Sequence, residues 1–229
     1  MNHKKLFYFD IETTSEFHTF SDLMEIDNRT ADNFLSRFNR RQDTTMKYSS
    51  VTEAYRNTSM FFPEYGKILS LSYGFYGGDD KLHIKSLVIN NDDEKSLMKE
   101  IKRVFDKISE LHLIPCGQNI KGFDIPFIVK KLYKYNLAIP KSLQSLGKKP
   151  WEVNIVDTTD LWKGLGWDTS SLDEIANTLG LPSPKEDING GQVYDIYWNE
   201  QDLERIAKYC ENDVKVLPAI VEKIYALNL

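Results

Sequence analysis

Hydrophobic and polar positions change rhythm several times along the chain, and each change predicts an element. Residues 4–12 are apolar from Leu6 to Phe9 and again at Ile11, which predicts a central strand. The run Lys67 to Tyr76, the turn residues Gly77-Gly78-Asp79-Asp80 and a second run, Lys81 to Ile89, predict a hairpin. From Asp92 to Leu111 the acids lead and Leu97, Ile101, Val104, Phe105 and Ile108 keep helical spacing, so this is an amphipathic helix. Residues 113–119 predict a short buried strand, 124–137 a helix with Pro126 in its first turn, and 153–157 a further strand. Ser171 and Glu174 stand at capping-box spacing before a helix that ends near Gly180. Residues 181–200, with Pro182, Pro184, Gly190 and Gly191, predict a loop; a last helix follows from Gln201, bent or restarted at Pro218.

Three strands followed by alternating helices and strands predict an α/β domain, a mixed β-sheet flanked by helices. The segment from Ser15 to Phe61 separates the first two strands and is expected to be a helical insertion within one domain spanning 1–229. In it Phe34, Leu35 and Phe38 predict an apolar face, with Arg37, Arg40 and Arg41 toward the other side.

Composition changes this picture little. At 229 residues and 41% hydrophobic content the chain can bury a sizeable core. No apolar run approaches the ~18 residues of a membrane span, and the N-terminal stretch lacks a secretory cleavage pattern, so the expectation is a cytoplasmic protein without a membrane partner. Cys116 and Cys210 sit in apolar stretches without metal-type spacing and are expected to be buried thiols. A formal charge of −5 argues against a nucleic-acid partner, unless several of the negatives are metal ligands.

The candidate chemistry lies in the acids. Asp10 and Glu12 are two apart in a strand, so both point one way, about 6.6 Å apart along the chain. Two like charges there repel unless a divalent cation sits between them; the competing reading is an exposed strand end. Asp124 follows a short strand and opens a helix, where a carboxylate is also a good cap. Tyr209 and Asp213 are four apart in the last helix and share a face at the edge of its apolar stripe.

In combination and order, these segments resemble the DEDD superfamily of 3′–5′ exonucleases. Residues 9–13, "FDIET", look like its first motif, Asn119 to Asp124 ("NIKGFD") its second and Tyr209 to Asp213 ("YCEND") its third, in the tyrosine form. The chain is most similar to the exonuclease domains of family B DNA polymerases and to their stand-alone relatives. The resemblance implies a ribonuclease H-like fold in which Asp10, Glu12, Asp124 and Asp213 bind two divalent cations, Mg²⁺ or Mn²⁺, with Asp10 bridging them. Tyr209 would orient the attacking water. Thr13 would offer its backbone to the terminal nucleotide, Asn119 would reach substrate, and Phe123 would stack on or wedge near the terminal base unless it is buried under the sheet.

The implied substrate is single-stranded nucleic acid, DNA favoured over RNA, with a separate DNA polymerase or replication protein as partner and any proofreading done in trans. An exoribonuclease would share the same motifs, and a catalytically inactive binding module is the reading from another class. Candidate phosphate contacts are Lys121, Lys130, Lys131, Lys134, Lys148, Lys149 and the three insertion arginines. Lys185 is a further candidate if its loop approaches the site.

Overall fold

The computed structural model describes residues 3–42, 48–149, 151–167, 169–185 and 187–227, and the side chains of all these except 3, 41 and 42. A five-stranded mixed sheet, with strand order β3-β2-β1-β4-β5, carries the molecule. β1 (Leu6–Ser15) is central, antiparallel to β2 (Gly66–Tyr76) on one side and parallel to β4 (Ile114–Gly117) on the other. β3 (Leu82–Val88) completes the hairpin with β2, and β5 is only Val156–Asp157. This mixed sheet with its helices is consistent with the ribonuclease H-like exonuclease fold.

Strand alternation divides the core in two. Phe7, Phe9 and Ile11 face one way, into a cluster with Met98, Ile101 and Phe105 of α4 (Glu94–Glu110) and Phe127, Ile128 and Leu132 of α5 (Asp124–Lys134). Leu6 and Tyr8 face the other way, against α7 (Leu172–Thr178) and the long C-terminal helix, here α9 (Leu203–Leu227). α9 runs unbroken through Pro218; burial of Leu217, Pro218, Ile220 and Val221 offsets the hydrogen bond that proline cannot make.

The segment between β1 and β2 folds as α1 (Phe20–Ile26), α2 (Asn28–Gln42), α3 (Val51–Thr58) and a 3₁₀ turn (Ser59–Phe61) around a small core of its own, built on Phe20, Leu23, Phe34, Tyr55 and Tyr65. Phe34 is buried but Leu35 is exposed, and Arg37 does not face solvent freely: its guanidinium lies 3.6 Å from the Phe62 ring centre. The side chain of Arg41 lies outside the described residues.

The described residues of 181–189 form the predicted loop, but residues 190–200 depart from it. They hold a 3₁₀ turn (Gly190–Gln192), the short helix α8 (Val193–Asp195) and a π-helical turn (Ile196–Glu200), with Val193 and Ile196 buried in the main core. Their aromatic residues dock on the insertion: Trp198 stacks on His18 and donates to Ser15 Oγ (3.0 Å), and the Tyr194 hydroxyl donates to the His18 carbonyl. The turn residues visible in the sequence hide an aromatic run, Tyr194, Tyr197 and Trp198, whose partners are distant in the chain. A short helix, α6 (Thr158–Lys163), was also not signalled by periodicity.

Under β1 and β2 lies a buried ionic group. Lys131 is fully buried and donates to Glu94 (2.9 Å) and Glu16 (3.1 Å); Glu94 also accepts from the Ile68 N–H (2.8 Å) and the Tyr135 hydroxyl (2.6 Å). Lys131 is thus a structural cation and not a phosphate contact. Removing it leaves two carboxylates without their buried partner, so Lys131→Ala is expected to lower unfolding free energy by about 3–5 kcal/mol. Lys134→Ala, at the half-exposed rim, is expected to cost less than about 1 kcal/mol. Urea titration of the two variants checks the contrast.

Candidate active site

Along β1 the face bearing Leu6 and Tyr8 continues as Asp10 and Glu12, so an apolar row turns acidic where β4 no longer pairs with β1. The β1–β2 register shifts between Glu12 and Thr13, a bulge of the kind that re-aims a side chain beside a site. Cys210 of α9 packs against this point, and its thiol donates to the Asp10 carbonyl and to Asp10 Oδ2, both at 3.3 Å. Ligand atoms of Asp10, Glu12 and Cys210 lie within 4.8 Å of one another.

Asp124 arrives from the other side. It is the first residue of α5, and its Oδ1 accepts the Ile11 N–H (3.1 Å), the backbone group between the two β1 acids. The loop before it is shaped by Asp157, which lies outside all three motifs. This buried carboxylate accepts from the backbone N–H groups of Asn119, Lys121 and Thr159, each at 2.9 Å. Asn119 adopts φ 54°, which asparagine tolerates. Gly117 leaves β4 so close to β1 that an added Cβ would stand 2.6 Å from the Phe9 carbonyl. The signal for Asp157 was an acid at the end of a predicted strand, which sequence alone cannot tell from a solvated one.

α9 brings Tyr209 and Asp213 to the same acids. Burial pushes the Tyr209 phenol well up, and Asp213, Glu12 and Asp10 push it further, so it stays protonated. Asp10 is raised well above the usual carboxylate range by burial and then by Asp124, Glu12 and Asp213. Glu12 is raised by burial, Asp213 and Asp124. Asp124 is pushed up to about 7 by burial, against the backbone N–H groups that lower it. Asp213 is pushed up to about 7 by burial, partly relieved by Lys185.

The remaining predicted residues divide. Thr13 continues β1, and its hydroxyl donates to the Met60 carbonyl (2.9 Å). Asn119 is exposed beside the Asp157 loop. Phe123 is half-buried, edge-on to Phe61 at 6.4 Å and against Phe127 at 5.6 Å. Lys121 pairs with Asp160 (3.0 Å), Lys130 with Glu64 (3.5 Å) and Lys134 with Glu16 (2.9 Å). Lys149 lies over Trp151, and Lys148 is exposed.

The donor set suits hard divalent cations. Four carboxylates crowd one end of the sheet, and among the described residues no lysine or arginine is ion-paired with any of them. Carboxylate oxygens in that density match Mg²⁺ or Mn²⁺. A cation would satisfy what the protein leaves uncompensated.

Among the described residues, no helix is long and apolar enough to cross a membrane. A comparison with curated proteins finds no match. The profile of one protein family, described as a predicted 3′–5′ exonuclease related to the exonuclease domain of PolB, matches residues 59–216. That span holds Asp124, Tyr209 and Asp213, and β1 adds Asp10 and Glu12 from outside it. The chain belongs to this family of predicted 3′–5′ exonucleases.

Proposed function

We propose that the protein is a metal-dependent nuclease that removes nucleotides one at a time from the 3′ end of single-stranded DNA, in replication or repair. The observation that carries the reading is the meeting of Asp10, Glu12, Asp124 and Asp213, from three distant parts of the chain, with no lysine or arginine among the described residues ion-paired to them. DNA is favoured over RNA because the family is related to the exonuclease domain of a DNA polymerase.

In the proposed reaction a water oxygen bonds to the terminal phosphorus and the bond from phosphorus to the 3′ oxygen breaks. The departing 3′ oxygen takes up a proton. The products are a nucleoside 5′-monophosphate and a strand shorter by one nucleotide. Two divalent cations held by the four carboxylates would supply Lewis acidity for the water and the leaving oxygen.

The protein's own groups do the rest. Tyr209 keeps its proton at working pH, so its role is to orient the water by hydrogen bonding and not to act as a base. The Cys210 thiol, itself pushed well up by burial and by Asp10, fixes the Asp10 carboxylate by donating to it. Asp124, tied to Ile11, holds its position relative to β1.

Asp10→Ala or Asp213→Ala is expected to abolish release of nucleotides from a 5′-labelled DNA oligonucleotide while circular dichroism stays native; activity in either purified variant would remove the assignment. Tyr209→Phe is expected to lower kcat by roughly 10²-fold and leave metal affinity unchanged, as measured by single-turnover hydrolysis and Mn²⁺ titration.

The acids also set a pH dependence. Asp124 and Asp213 sit at about 7 in the folded protein against an ordinary 3.8, so folding favours their protonated forms. That contribution is complete below about pH 4 and is lost as pH rises through about 7. In chelator, the melting temperature is therefore expected to fall between about pH 5 and pH 8. Mn²⁺ should raise it more at pH 8, where the ligands are ionised, than at pH 5; equal shifts at both would contradict metal binding at these carboxylates.

A further inference from the structure

Residues 187–193 run alongside Tyr209, and Asp187, Ile188, Arg205 and Tyr209 line one cleft. Arg205, one turn before Tyr209 on α9, clasps this stretch: it donates from Nε and from Nη2 (3.1 Å) to the two carboxylate oxygens of Asp187, and from Nη1 to Glu200 (2.8 Å). Ile188 and Val193 are buried in the main core. The 3₁₀ turn Gly190–Gln192 is therefore held on both sides.

The turn presents bare backbone to the tyrosine. Asn189 and Gln192 spend their side chains inside it, Asn189 Oδ1 accepting the Gly191 N–H (3.0 Å) and Gln192 Oε1 the Asn189 N–H (3.0 Å). Gly190 and Gly191 are left facing the space they share with Glu12. A Cβ added to Gly190 would stand 3.9 Å from the Tyr209 hydroxyl oxygen and would meet no other described atom within 4 Å. Gly190 is not in the left-handed region, so a side chain there brings neither backbone strain nor a clash. Among the described residues nothing is hydrogen-bonded to the Tyr209 hydroxyl. A water bonded to it would stand about 2.8 Å away, and a methyl carbon must keep about 3.5 Å from that water. On the line from the hydroxyl to Gly190 there is room for one of them and not for both.

Resting on the nuclease reading above, we propose that Gly190 is a positioning residue of the reaction: its lack of a side chain reserves the place beside the Tyr209 hydroxyl for the attacking water, and the Arg205–Asp187 bond keeps the turn at that distance. The bond lies at the surface and contributes little stability by itself. Its effect is on where the turn stands relative to α9, and so on how much space the hydroxyl has in front of it.

The test is a double-mutant cycle in the full chain with Mn²⁺ and a 5′-labelled single-stranded DNA oligonucleotide, comparing the native protein, Gly190→Ala, Tyr209→Phe and the double variant. Gly190→Ala is expected to lower kcat about tenfold while KM, Mn²⁺ affinity and melting temperature stay native. The double variant should match Tyr209→Phe within about twofold, because without the hydroxyl the methyl group displaces no bonded water. Arg205→Gln, which loosens the turn, should lower kcat about threefold in the native background and leave Tyr209→Phe unchanged. A native kcat in Gly190→Ala, or losses that multiply in the double variant, overturns the proposal while leaving the nuclease reading standing. So does a fall in Mn²⁺ affinity or melting temperature in Gly190→Ala, which would make the glycine a structural residue. An equal loss on Arg205→Gln in both backgrounds overturns the part given to the Arg205–Asp187 bond. Absence of hydrolysis by the native protein overturns the nuclease reading instead.

Discussion

Four carboxylates repel one another at one end of a β-sheet, and the surrounding architecture holds them there. The repulsion is visible in the chemistry of each group: every one of Asp10, Glu12, Asp124 and Asp213 is raised above the usual carboxylate range, with burial as the first cause. An unassisted chain would relax by turning these side chains to water. Here they are pinned because each stands on an element whose other face is locked into a core. β1 is fixed by Phe7, Phe9 and Ile11, α5 by Phe127, Ile128 and Leu132, and α9 by Val214 and Leu217.

The pinning continues through polar contacts that have no counterpart in a simple motif. The Ile11 N–H ties Asp124 to β1, the Cys210 thiol holds Asp10, and Asp157 gathers three backbone N–H groups of the loop and helix start around it. Behind them, Lys131 and Glu94 bind α5 to α4 and to the Ile68 backbone. Buried ion pairs of this kind are weak as sources of net stability and costly to break. Their use here is positional: they fix where α5 begins, and therefore where Asp124 is.

Much of this was legible because the informative signals were local. Strand alternation placed Asp10 and Glu12 on one face, helical spacing placed Tyr209 and Asp213 together, and both survive in the structure. Tertiary partners decided the rest. Of the predicted apolar face Phe34 is buried as expected but Leu35 is left exposed, and Arg37 packs its guanidinium on Phe62, a contact no periodicity encodes. Lys131 looked like one more surface lysine of a basic helix; only the fold shows Glu16 and Glu94 converging on it. The second half of the 181–200 segment misled for a related reason. Proline and glycine marked its turns correctly, yet its structure comes from Tyr194 and Trp198 docking on residues of the insertion.

That docking makes the insertion and the 190–200 segment parts of one wall. A lysine buried beneath it, Lys67, lies 4.4 Å from the Trp198 ring and 4.9 Å from Tyr197 while pairing with Asp92, so the wall is anchored to β2 as well. At the start of β2, Gly66 lets the 3₁₀ turn and β1 approach so closely that an added Cβ would stand 2.9 Å from both the Ser59 and Thr14 carbonyls. The close approach brings Met60 onto the Thr13 hydroxyl and so sets α3 against the acidic end of β1. The same strand end thus carries two of the four acids and the footing of the wall that faces them. A displacement of the insertion would reach the catalytic face through Thr13, without any change to the carboxylates themselves.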